Sequence, residues 1–181
     1  MAPITIVAVL ALFCGRVAAH PHMIKASGNG TNDLWLAPAV CSDHPSAALG
    51  TAHPVLVANS PQLTFAVKSK GEVVTKLCPG LKYKVTVDFG DPGTDAPFGY
   101  CALVTASLGQ LSRSEKECPN KSVVTKVKKP KVLRYKAPCN STAYSVQFKA
   151  TGSTGPGMQL IQNQQTLQAD PTCASKKCSK A

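Results

Sequence analysis

The chain has 181 residues, with 20 Lys and Arg against 9 Asp and Glu, for a formal net charge of +11 at pH 7. That length builds one domain with a real core, and so few acids leave little material for carboxylate-pair catalysis. Beyond the first residues no run is long and apolar enough to span a bilayer, and the polar tail carries no lipid-anchor signal.

Residues 1–19 read as a secretory signal peptide. An apolar run from Ile4 to Phe13 is followed by Val17-Ala18-Ala19, which places small residues at the −3 and −1 positions of a cleavage site. The segment before the run lacks Lys and Arg. Cleavage after Ala19 starts the mature chain at His20-Pro21-His22 and removes Arg16 and Cys14. The expected location is secreted, extracellular.

Residues 20–57 show no period and read as an irregular N-terminal arm laid across the domain. The arm holds Trp35, the breaks Pro38, Pro45 and Pro54, and all four histidines: His20, His22, His44 and His53.

From residue 58 to 168 short apolar-alternating runs recur, separated by Gly, Pro, Asn and Asp, and helical periodicity is nearly absent. Gln62–Lys68 alternates at Leu63, Phe65 and Val67. Leu81–Phe89 alternates over its whole length, with Leu81, Tyr83, Val85, Val87 and Phe89 on one face and Lys82, Lys84, Thr86 and Asp88 on the other. Phe98–Ala106 is continuously apolar, as expected of a buried central strand. Val123–Val127 and Val132–Lys136 flank Lys128-Lys129-Pro130, where Pro130 predicts a break. Ala143–Ala150 alternates at Tyr144, Val146 and Phe148. Residues 152–157 read as a loop, and Met158–Leu167 as a last strand or a short helix. Strands at this spacing without helices predict an all-β protein, an antiparallel β-sandwich. Residues 169–181 read as a tail, loose unless a disulfide ties it.

An oxidising compartment turns most cysteines into disulfides. The mature chain keeps Cys41, Cys78, Cys101, Cys118, Cys139, Cys173 and Cys178, an odd number, which predicts three bridges and one unpaired thiol. Cys101 and Cys118 flank one strand and loop and are the first expected pair. Cys78 with Cys139, and Cys173 with Cys178 or Cys41, are the further options. The sequons at Asn29, Asn120 and Asn140 sit in turn-like surroundings that suit a glycan.

Two features carry candidate chemistry. A histidine at a free N-terminus offers a metal its amine and its ring, and a second histidine ring completes a T of three nitrogens that suits Cu(II). His20 is the candidate for the first two ligands, His44 or His53 for the third, and Tyr100 or Tyr144 for an axial position. Pro21 has no backbone N–H and forbids the alternative square-planar wrap through His22. The second feature is the basic strip Lys126, Lys128, Lys129, Lys131, Arg134 and Lys136. A secreted chain this basic is expected to meet polyanions: acidic polysaccharide, extracellular matrix or a cell-wall surface. The plainer reading is a solvated strand face whose lysines block edge-to-edge aggregation. No nucleic-acid recognition motif is present. No Gly-x-Ser-x-Gly elbow occurs, and Asp88, Asp91 and Asp95 sit at a Gly/Pro turn where turn roles suffice.

From Ala39 to about Gly152 the chain resembles the Reeler domain of secreted and matrix proteins. The likeness rests on Cys41, on Tyr83–Val87, on Phe98-Gly99-Tyr100-Cys101-Ala102-Leu103-Val104, on Cys118, on Val132–Pro138 and on Val146–Thr151. Cys78, Cys139 and the C-terminal cysteine pair depart from it. The resemblance implies an immunoglobulin-like sandwich and a role in adhesion or surface recognition. His20–Met23 also resembles the mature start of lytic polysaccharide monooxygenases, which implies a copper-dependent oxidative enzyme. No counterpart of that family's second-histidine segment is visible. The sequence therefore predicts a secreted binding module for acidic glycans, with a copper enzyme as the alternative.

Overall fold

In the computed structural model the described residues are 44–48, 53–94, 96, 99–114, 119–139, 143–154, 157–173 and 178. Among these residues eleven strands follow one another: β1 Leu56–Val57, β2 Thr64–Ser69, β3 Glu72–Val73, β4 Lys76–Leu77, β5 Lys82–Asp88, β6 Tyr100–Ala106, β7 Gln110–Leu111, β8 Lys121–Val127, β9 Lys131–Lys136, β10 Ser145–Ser153 and β11 Leu160–Ala169. Among the described residues a 3-10 turn, Pro171–Cys173, follows β11.

The strands form two packed sheets. The first runs β1-β11-β10-β6-β8, with β4 also on β11, and the second runs β3-β2-β5-β9-β7. The described residues thus form an all-β sandwich of two sheets. The long ladders are antiparallel, as expected, but β1 and β4 each join β11 in parallel. The two-residue strands β1, β3, β4 and β7 were not anticipated, because two residues show no period. Leu56–Val57 lies within the segment expected to be irregular and adds to the sheet edge.

Alternation puts one face of each strand inward. Val85, Val87 and Phe89, running from β5 into the residue after it, together with Leu133 and Tyr135 of β9 meet Val104 of β6, Val146 and Phe148 of β10 and Ile161 of β11, all almost fully buried. Aromatic rings stitch the layers: Phe89 stacks on Tyr100 at 5.2 Å between centroids, and Tyr135 meets Phe148 edge-on at 4.9 Å. Leu81 is 37% exposed, because β5 begins one residue later and leaves it at the end of the sandwich.

Of the two alternatives for Met158–Leu167, the strand is the one that forms, as β11 over Leu160–Ala169, with Ile161 and Leu167 reaching the core. One expectation changes. Gly152 and Ser153 are not loop but the end of β10. At Gly152 the chain passes so close to its neighbours that an added Cβ would stand 2.7 Å from the Phe89 ring and 3.1 Å from Cβ of Ala102, its partner on β6. Only glycine allows that approach.

All seven residues of β6 are buried. Its inward face meets the second sheet. Its outward face belongs to a smaller cluster of Leu103 and Leu160 with Leu56 and Val123. His44 and Pro45, from the segment expected as an arm, lie on this outward side.

Candidate functional site

The structure divides the predicted basic strip. Lys126 ends exposed near the finish of β8 with a positive φ of 55°, and Lys128 and Lys129 are exposed in the turn to β9. Lys131 is half-buried at the start of β9. Arg134 and Lys136 point outward from β9, because Leu133 and Tyr135 take the inward positions.

Register then supplies neighbours that the linear sequence hides. Lys84 of β5 lies directly opposite Arg134, and Lys82 directly opposite Lys136. On the other side of β5, Lys68 of β2 lies directly opposite Lys84. Five cations from three adjacent strands therefore share the outer face of the second sheet near the end where β5 starts. Lys82, Lys84, Arg134 and Lys136 are exposed, and Lys68 is half-buried. Directly opposed residues have Cβ atoms about 5 Å apart, and like charges so placed destabilise a sheet. Asp88 is the acid on this face of β5, at its far end, where its Oδ1 accepts the Gly90 N–H at 2.9 Å. Three like-charged cross-strand pairs with no acid between them are a local conflict with stability.

Of the candidate copper ligands among the histidines, His44 and His53 lie within the described residues. His44 is buried, with Nδ1 2.7 Å from Thr151 Oγ1 and Nε2 2.8 Å from Thr105 Oγ1. Gln162 Nε2 donates both to Thr151 Oγ1 (2.8 Å) and to the Pro45 carbonyl (3.0 Å). Each ring nitrogen thus has a threonine hydroxyl as its partner, and because a hydroxyl can donate or accept, a neutral ring is satisfied at both nitrogens. Burial, and secondly the charge of Lys149, pull the His44 pKa down to about 3. Both nitrogens are occupied, so His44 as placed offers no lone pair to a metal.

His53 Nδ1 bonds the Met158 carbonyl at 2.9 Å. Tyr100 points into the core, where its hydroxyl accepts Gln62 Nε2–H at 2.8 Å. Thr105, the partner of His44, points to the opposite face of the same strand. Period two therefore separates Tyr100 from His44, and they cannot share an ion. No cluster of three or more metal-binding side chains occurs among the described residues. His20, His22, Trp35 and the signal segment lie outside those residues.

The disulfides differ from the expected pairs. Cys78 joins Cys173, and Cys139 joins Cys178, each with Cα atoms 5.2 Å apart. Both bridges tie the C-terminal segment to the sandwich. Cys101 is a free, buried thiol on the outward face of β6, and burial raises its pKa to about 11. It is not bridged to Cys118, which lies with Cys41 outside the described residues. Of the sequons, Asn29 and Asn140 also lie outside. Asn120 is half-buried, and its Nδ2 donates to the Ala106 carbonyl at 2.8 Å, clamping the start of β8 to β6.

No protein-family model matches the chain, and no curated protein matches its sequence. Among solved structures it is similar to the human F-spondin reeler domain, with 14% identity and a TM-score of 0.45 over 64% of this chain and 94% of that one. It is also similar to the Reelin-N domain of F-spondin, with 16% identity and a TM-score of 0.37 over 70% of this chain and 98% of that one.

Proposed function

We propose that the protein is an extracellular binding module that holds acidic polysaccharide or a matrix surface by charge. The observation that carries this reading is the alignment of Arg134, Lys84 and Lys68 directly opposite one another across three strands. A sheet selected for stability alone would alternate charge at such positions. Repulsion retained on an exposed face supports a partner that neutralises it. The two disulfides support an oxidising, extracytoplasmic location, and the excess of cations extends the attraction beyond the contact itself.

The test is chromatography of the folded protein on immobilised polygalacturonate and on dextran sulfate, eluted with a salt gradient. Retention at low salt, lost as the screening length falls from about 30 Å toward 3 Å, is the expected result. Absence of retention at low salt, or retention that persists in 1 M salt, refutes an electrostatic module.

A further inference from the structure

We infer that the outer face of the second sheet takes a linear polyanion laid across the strands, along the row Lys68–Lys84–Arg134 with Lys82–Lys136 as a second rung. The inference rests on the polyanion reading above and adds the footprint, the direction and the kind of ligand.

Direction follows from which way the charges line up. Along β5, Lys82 and Lys84 are followed on the same face by Thr86 and then Asp88, so a polyanion tracking that strand runs into an acid. Along β9, Lys136 and Arg134 are followed by the exposed apolar Val132. Along β2, Lys68 is followed by Ala66 and Thr64. No strand offers more than two cations on this face. Across the strands the row meets three in succession, spaced by the inter-strand distance of about 4.8 Å. The second rung lies two residues along, about 7 Å away. The row ends at Val73 of β3, opposite Lys68, which is 63% exposed and uncharged.

The kind of ligand follows from side-chain direction. Side chains on one sheet face stand roughly perpendicular to it, parallel to one another. They do not converge on a point as the donors around a phosphate or sulfate do. Exposed single charge contacts are individually weak, so this array gains affinity only when one molecule engages several cations together. A ligand must span about 10 Å to reach β2, β5 and β9 at once. That requirement selects an extended acidic chain over a compact anion.

The experiment uses the full chain on the same two polymers, competed by size-graded oligogalacturonates, size-graded dextran sulfate fragments and inorganic sulfate at matched ionic strength. Two double variants remove equal charge: Lys84→Gln/Arg134→Gln on the face and Lys128→Gln/Lys129→Gln in the turn. Thermal unfolding of each verifies the fold.

The expected result has three parts. Competition rises steeply once fragments span the row, and sulfate competes no better than its ionic strength predicts. The face pair weakens binding by up to about 25-fold, about five-fold per charge, and lowers the slope of log affinity against log salt by about two. The turn pair loses less. Preference between the two polymers assigns carboxylate or sulfate ester as the anion.

The inference is overturned if sulfate or single-sugar fragments compete as well per charge as long ones, or if the turn pair loses as much as the face pair. Wild-type protein that is retained on neither polymer refutes the polyanion reading itself, and the footprint with it.

Discussion

Lys84 and Arg134 face each other directly across β5 and β9, two cations on one exposed sheet face. The pair opposes folding and, on the present reading, serves binding. Lys84→Gln is therefore expected to raise stability by about 0.2–1 kcal/mol while weakening polymer retention. Thermal unfolding in low and high salt checks it. The gain should shrink in high salt, where the repulsion is already screened. A loss of stability in Lys84→Gln would mean that the lysine stem packs usefully and that the conflict is not real.

His44 predicts a pH dependence. Its pKa is lowered from 6.5 to about 3 by burial and by Lys149. Above pH 6.5 the ring is neutral whether docked or free, and titration has no effect on stability. As pH falls below 6.5 the free ring gains a proton that the docked ring refuses. Stability should then decline by about 1.4 kcal/mol per pH unit, until the docked ring also titrates. Between pH 6.5 and 5 that is about 2 kcal/mol. His44→Gln should flatten this slope, and comparing the two proteins' unfolding midpoints at pH 7 and pH 5 isolates His44 from the other histidines. Parallel pH profiles would refute the buried neutral ring.

Cys78–Cys173 closes a loop of sequence separation 95. In the chain-entropy account a bridge of that span stabilises by about 4–5 kcal/mol. Cys78→Ser/Cys173→Ser should lower the unfolding free energy by that order. Cys101, buried and free, should resist a thiol reagent in the native protein and react on denaturation. Rapid native labelling at Cys101 would contradict its burial.

Gly152→Ala is expected to be costly. The new methyl would meet the Phe89 ring at 2.7 Å, and that ring is fully buried and stacked on Tyr100. Overpacking of this kind costs about 1–3 kcal/mol. Phe89→Leu in the same chain should recover part of the loss, a compensation that double-mutant analysis of unfolding would register.

The sequence by itself determined the class of fold and the inward faces. Tyr83, Val85, Val87, Val146 and Phe148 point inward as their alternation requires, since the side-chain period of a strand is a local property of the backbone. The chain's excess of positive charge was equally legible, being only a count. Partnership was not. Lys84 stands 50 positions from Arg134 in sequence and opposite it in space, and the basic strip read along the chain scattered into a strand end, a turn and a face. Cys78 found Cys173 and not Cys139, and His44 found two threonines and not a second histidine. Each of these pairings depends on which strands lie side by side and in what register. That is decided by the packing of two whole sheets, and no local pattern of residues encodes it.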